Sequence, residues 1–207
     1  MNKLIVFGGT FNPLTFAHDE VIKLAKSYFN EEKVILLPSS DKFLYSWKNY
    51  SKDMIIDSSL RIKILNEYSK KNNNIVSLIE INGTTFKTYD SIKKLKEEYK
   101  INECYFLLGS EKINEIYSWY KIEELLKESK FVFFKRNNDD ISKLINNNEF
   151  ILNHLDRFIF INNTNNKYQD YSSSKLRELL KNKDYNKSKE YTFDYIIDLI
   201  KDNEYEK

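Results

Sequence analysis

A chain of 207 residues, 41% hydrophobic and 31% charged, can bury one substantial core and is short for two large domains. With 33 Lys and Arg against 31 Asp and Glu, the formal charge of +2 gives no electrostatic case for a nucleic-acid polymer or a membrane surface as partner. No apolar run approaches the roughly 18 residues of a membrane span, and the single cysteine, Cys104, cannot close an internal disulfide, so a cytoplasmic protein is expected.

Residues 4–7, Leu4-Ile-Val-Phe7, have the length and β-branched or aromatic content of a buried strand, and they end in Gly8-Gly9-Thr10-Phe11-Asn12-Pro13. After His18, the apolar positions Val21, Ile22, Leu24, Ala25 and Phe29 recur close to helical spacing. Residues 34–37 read as a second strand, and residues 60–65 bring a helical face with Leu60, Ile62, Ile64 and Leu65 near Arg61. A strand over 75–79 precedes a helix carrying Tyr89, Ile92, Leu95 and Tyr99 at spacings of three and four. Strands follow at 105–108, 131–134 and 158–161, while 137–148, rich in Asn and Asp, read as an exposed loop. Residues 174–180 and 193–200 read as helices with no strand after them. Repeated alternation of strand and helix predicts an α/β fold, a Rossmann-like open parallel sheet flanked by helices. We expect one domain over 1–207, with a nucleotide-binding core over 1–165 and a small helical C-terminal subregion over 166–207.

The chemistry concentrates at the two ends. A strand that runs through glycines into a helix start gathers free backbone N–H groups, a hydroxyl and an imidazole where a parallel strand ends, the usual crevice of such sheets and a natural seat for phosphate. The alternative is an ordinary strand-to-helix turn, since Gly and Asn are common turn residues. Far along the chain, Tyr171-Ser172-Ser173-Ser174-Lys175-Leu176-Arg177 offers a helix cap, several hydroxyls and a guanidinium one turn in, which makes a second anion site. A plain serine cap with a surface arginine is the alternative there.

The first stretch, with Thr15-Phe16-Ala17-His18 behind it, resembles the opening motif of the nucleotidyltransferase α/β phosphodiesterase superfamily, Thr15 and Ala17 standing where the commonest form has His and Gly. Ser172 to Arg177 is similar to the same superfamily's second motif, in the family's order. The resemblance implies adenylyl transfer from ATP. Catalytic roles then fall to His18, Thr15 and Arg177, and ATP binding to Gly8, Gly9, Thr10, Phe11, His18, Gly109, Glu111, Ser172, Ser173, Ser174 and Arg177. Gly109-Ser110-Glu111, Trp119-Tyr120-Lys121 and the block at Thr88-Tyr89-Asp90 resemble the nicotinate-nucleotide adenylyltransferase branch. That branch implies Glu111 as ribose partner and Thr88 and Trp119 against a pyridine ring, although Trp119 with Ile116 and Ile122 also describes a packed helical face. Lys42 and Lys48, in the stretch where the resemblance is weakest, are candidate phosphate contacts or simply exposed lysines.

What the resemblance implies in full is ATP and a small phosphate-bearing acceptor, nicotinate mononucleotide favoured, joined to give deamido-NAD and pyrophosphate. Mg²⁺ is expected to arrive on the ATP phosphates, because no His, Cys, Asp or Glu cluster has metal-ligand spacing. The same chemistry on nicotinamide mononucleotide or phosphopantetheine, or a non-catalytic nucleotide-binding relative, are the competing readings. The sequence is also compatible with a homo-oligomer.

Overall fold

In the computed structural model, residues 2–47, 56–83, 87–136, 139–162 and 171–205 are described. The elements run β1 (Leu4–Gly9), α1 (Phe16–Phe29), β2 (Ile35–Pro38), α2 (Asp41–Trp47), α3 (Ser58–Lys71), β3 (Ile75–Val76), α4 (Thr88–Tyr99), β4 (Cys104–Gly109), α5 (Ile122–Glu128), β5 (Lys130–Phe134), α6 (Ile141–Asn146), α7 (Glu149–Asn153), β6 (Phe158–Ile161), α8 (Ser173–Lys181), α9 (Tyr185–Ser188) and α10 (Asp194–Tyr205). All five strand pairings are parallel, and the sheet order is β3-β2-β1-β4-β5-β6.

Side chains alternate across each strand, so a fully buried strand must feed two cores. Ile5 and Phe7 of β1 join Ile22, Ala25 and Phe29 of α1, Ile64 and Tyr68 of α3, and Leu176 and Ile196 from the C-terminal helices. Leu4 and Val6 turn the other way, toward Ile92 and Leu95 of α4 and Leu125 and Leu126 of α5. The C-terminal helices therefore share the core of α1 and α3, which is what brings the second motif beside the first.

Two expectations from the sequence change. The third strand is shorter than 75–79, covering Ile75–Val76. Of the loop expected over 137–148, residues 137 and 138 lie outside the described residues and 139–148 are not an exposed loop: Asp140 caps α6 by accepting from the Lys143 N–H, Ile141 is buried, and Asn148 caps α7. Three apolar residues at helical spacing, Ile141, Leu144 and Ile145, outweigh the surrounding Asn and Asp, of which Asp140 and Asn148 act as caps.

Candidate active site

Strand order reverses between β1 and β4, and the crevice at their C-terminal ends is where ligands bind in such sheets. Two clefts open there. The first, of about 280 Å³, lies between the turn after β1, His18, Gly109 with Glu111, and the serine run with Arg177; all eleven residues expected to bind ATP line it. The second, of about 340 Å³, is walled by Phe43, Phe106, Thr88 and Trp119, with Glu80 and Lys87. Gly8, Gly9, Thr10, Leu108 and Lys112 line both, so the clefts meet over the glycine turn. The turn must be glycine where rings lie on the backbone: a Cβ at Gly8 would stand 2.5 Å from the Phe106 ring.

Polar groups from distant elements hold the turn by its carbonyls. The Thr10 carbonyl accepts from Arg61 at 2.8 Å, Asn12 from Arg177 at 2.8 Å, Pro13 from Ser173 Oγ at 2.9 Å and Leu14 from Thr192 Oγ1 at 2.7 Å. Each bond satisfies an acceptor that the turn leaves without a helix or ladder partner. Within it Phe11 has φ 45°, a left-handed conformation that costs a bulky residue roughly 1–3 kcal/mol. Its ring is buried, edge-on to Phe7 at 5.4 Å and tilted against His18 at 5.2 Å.

His18 is fixed from behind. Its Nδ1 accepts the Thr15 backbone N–H at 3.1 Å and lies 2.8 Å from Thr15 Oγ1, while Thr15 and His18 form a reciprocal cap at the start of α1. An Nδ1 that accepts an N–H carries no proton in the neutral ring, so the bonding assigns the proton to Nε2. Burial, reinforced by the charge of Arg136, lowers the His18 pKa to about 3. The side chain is a neutral N–H donor.

Thr15 departs from its expected place. It is completely buried, lines neither cleft, and turns its hydroxyl to His18 and the Tyr171 carbonyl, so it holds the imidazole from behind. The serines divide their work: Ser172 Oγ caps α8, Ser173 Oγ clamps Pro13, and Ser174 Oγ accepts from Arg177 Nη2 at 3.1 Å. Glu111 is ion-paired with Arg136 at 3.1 Å.

In the second cleft Trp119 is both wall and packing, its ring edge-on to Phe106 and Phe131 at 6.1 and 6.0 Å. Lys42 is exposed on α2 and lines neither cleft; Asp41 turns inward to Arg61, and the next residue round the helix faces out. Lys48 lies outside the described residues. The lysines that do line the cleft are Lys87 and Lys112.

Two residues carry more than the sequence suggested. Arg61, wholly buried, bonds Thr10, Ser39 and Ile56 carbonyls and pairs with Asp41, tying the ends of β1 and β2 together. Glu80 is a buried acid in the wall of the second cleft. The signal for both was a charged residue inside an apolar pattern.

A Rossmann-like sheet with a glycine turn, a neutral histidine and an arginine-bearing helix start at its switch point defines a nucleotidyltransferase, and the chain belongs to the cytidylyltransferase-like family, whose model matches residues 6–179. Its curated relatives include the probable nicotinate-nucleotide adenylyltransferase of Fusobacterium nucleatum, 31% identical over 186 residues, 88% of this chain and 89% of the relative. The protein of the same name from Clostridium perfringens strain 13 is 32% identical over 149 residues, 72% of each chain. In structure, the Plasmodium falciparum nicotinic acid mononucleotide adenylyltransferase complexed with APC matches with a TM-score of 0.77 at 24% identity, over 99% of this chain and 96% of that one. Its complex with NaAD gives 0.76 at the same identity.

Proposed function

We propose that the chain is a single-domain cytoplasmic adenylyltransferase that joins nicotinate mononucleotide to the AMP moiety of ATP, giving deamido-NAD and pyrophosphate. The observation that carries this reading is the pair of clefts that meet over Gly8-Gly9-Thr10, one lined by phosphate-seeking groups and the other by aromatic ones. ATP takes the first and the acceptor takes the second.

An acceptor phosphate oxygen bonds to the α-phosphorus in line, the bond from that phosphorus to the bridging oxygen breaks, and its electron pair leaves with pyrophosphate. Such a transfer needs positioning and charge stabilisation more than a nucleophile. His18 donates Nε2–H to the α-phosphate as charge builds, held by Thr15. Arg177 and the serine run hold the β- and γ-phosphates, and Glu111 meets the ribose. When bound with ATP, Mg²⁺ would supply charge neutralisation on its phosphates. Among the described residues that line the first cleft the one carboxylate is Glu111, and it is paired with Arg136, so the ATP phosphates would supply most of the metal's ligands.

The test is pyrophosphate release with ATP and Mg²⁺ over a panel of nicotinate mononucleotide, nicotinamide mononucleotide and phosphopantetheine. The highest kcat/KM is expected with the first. Bound ATP without turnover of any acceptor would overturn the reading in favour of a binding protein.

A further inference from the structure

Glu80 follows β3 in a turn, is 8% exposed, and lines the second cleft. Among the described residues its carboxyl takes one hydrogen bond, from Ser91 Oγ at 2.9 Å, and Ser91 is itself fully buried in the first turn of α4. Thr88 and Ser91, three apart, share a face of that helix, so the bond holds the acid to the α4 side of a cleft that Thr88, Trp119 and Phe106 also line. The charged groups that line the cleft with it are Lys87, which lies over the Tyr120 ring, and Lys112 and Glu115, which pair with each other at 2.6 Å; Asp90 is the acid next to Ser91 in α4. Among the described residues neither lysine is ion-paired with Glu80. A buried carboxyl with one hydroxyl for a partner is disfavoured in its charged form.

On the reading that this cleft takes a pyridine mononucleotide, we propose that Glu80 determines which one: as an undissociated acid it donates a hydrogen bond to a ring carboxylate, and as a carboxylate it repels that group and accepts from a ring carboxamide. Burial is the main influence and Ser91 opposes it; together they leave the Glu80 pKa at about 7, so both forms exist in the physiological range. Acceptor choice then depends on pH.

The measurement is the ratio of kcat/KM for nicotinate over nicotinamide mononucleotide between about pH 6 and pH 8. Both acceptors carry the same phosphate, with a second ionisation near pH 6, so its titration cancels in the ratio. In the unaltered enzyme the ratio should fall about 10–100-fold over this interval, tenfold from the shrinking undissociated fraction that serves the nicotinate acceptor and up to tenfold more from the growing carboxylate fraction that serves the nicotinamide one. Glu80→Gln keeps an N–H donor at every pH and should hold the ratio flat near its acid-side value. Ser91→Ala removes the bond that favours the charged form and should move the midpoint upward. A flat ratio in the unaltered enzyme, or an unaltered slope in Glu80→Gln, overturns the proposal while nicotinate mononucleotide still turns over. No turnover of that acceptor at any pH, with ATP bound, takes the functional reading down as well. If Glu80→Gln does not fold, the pH profiles of the unaltered enzyme and of Ser91→Ala decide the matter.

Discussion

Arg177 donates through Nη1 to the Asn12 carbonyl at 2.8 Å, joining the second motif to the first across 165 residues of sequence. Nη2 reaches Ser174 Oγ from the same guanidinium, so one planar group fixes both the turn after β1 and the start of α8. Lysine has the charge and lacks the fork. Arg177→Lys is therefore expected to raise KM for ATP and lower kcat, with kcat/KM down by roughly 10–100-fold, and to cost about 1 kcal/mol of stability for a lost hydrogen bond. Equal kinetics in the lysine variant would reduce Arg177 to a point charge.

His18 is preorganised as a neutral donor, and removing such a donor typically costs about 10²–10³ in kcat. His18→Ala should show that loss with a much smaller change in ATP affinity, measured by steady-state kinetics and by ATP titration. Thr15→Val removes the hydroxyl behind the ring while nearly keeping its volume. About a tenfold fall in kcat is expected, the worth of one hydrogen bond, with recovery in Thr15→Ser. A Thr15→Val enzyme with normal kcat and raised KM for ATP would restore direct phosphate contact to that residue.

Stability should depend on pH through two groups of opposite sign. His18 falls from 6.5 to about 3 on folding, so the unfolded chain takes up a proton first; its contribution is fully present above pH 6.5 and is lost as pH drops toward 3. Glu80 rises from 4.5 to about 7, so the folded chain holds its proton longer; its contribution is present below pH 4.5 and is lost as pH rises through 7. Urea unfolding across this range should show His18→Gln losing less stability than the parent between pH 7 and 5. Glu80→Gln should lose less than the parent between pH 5 and 8.

Most of this was readable from the residues, for physical reasons that also explain the misses. The six strands stood out because buried parallel strands are continuous runs of apolar residues, and both motifs lie at element starts, where glycine and serine have local meaning. Local pattern says nothing of what meets what across the fold. Thr15 reads as a catalytic group from its place in the first motif, yet the helix cap turns it inward. Lys42 looked like a cleft cation because charge alone was visible, and its direction is set by Asp41 reaching Arg61. The clamps on Asn12, Pro13 and Leu14 come from residues 160 or more positions away, which no local window can hold.

Gly8 connects the two clefts through packing. A methyl there would meet Phe106 Cζ at 2.5 Å, too close to be absorbed without moving the ring. Since Phe106 lines the second cleft and also supports Trp119, Gly8→Ala should raise KM for the acceptor several-fold more than KM for ATP. Equal changes in both would mean that the backbone turn, and not the ring, had shifted.

Arg61 is the strictest test of the scaffold. It is a wholly buried cation whose donors reach the carbonyls of Thr10, Ser39 and Ile56 and the Asp41 carboxylate, itself 28% exposed. Removing one partner of a buried pair commonly costs about 3–5 kcal/mol, because the remaining charge and acceptors stay desolvated. Arg61→Met leaves Asp41 partly in water, which places its expected loss near 3 kcal/mol by denaturant unfolding. Arg61→Met with Asp41→Asn should lose less than the sum of the two single changes, since each removes the reason for the other. Thr10 lines both clefts, so the surviving folded enzyme should show raised KM for ATP and acceptor together. A variant destabilised by 3 kcal/mol with both KM values intact would mean that the glycine turn holds its shape without Arg61, leaving Arg177, Ser173 and Thr192 as the clamps that matter for binding.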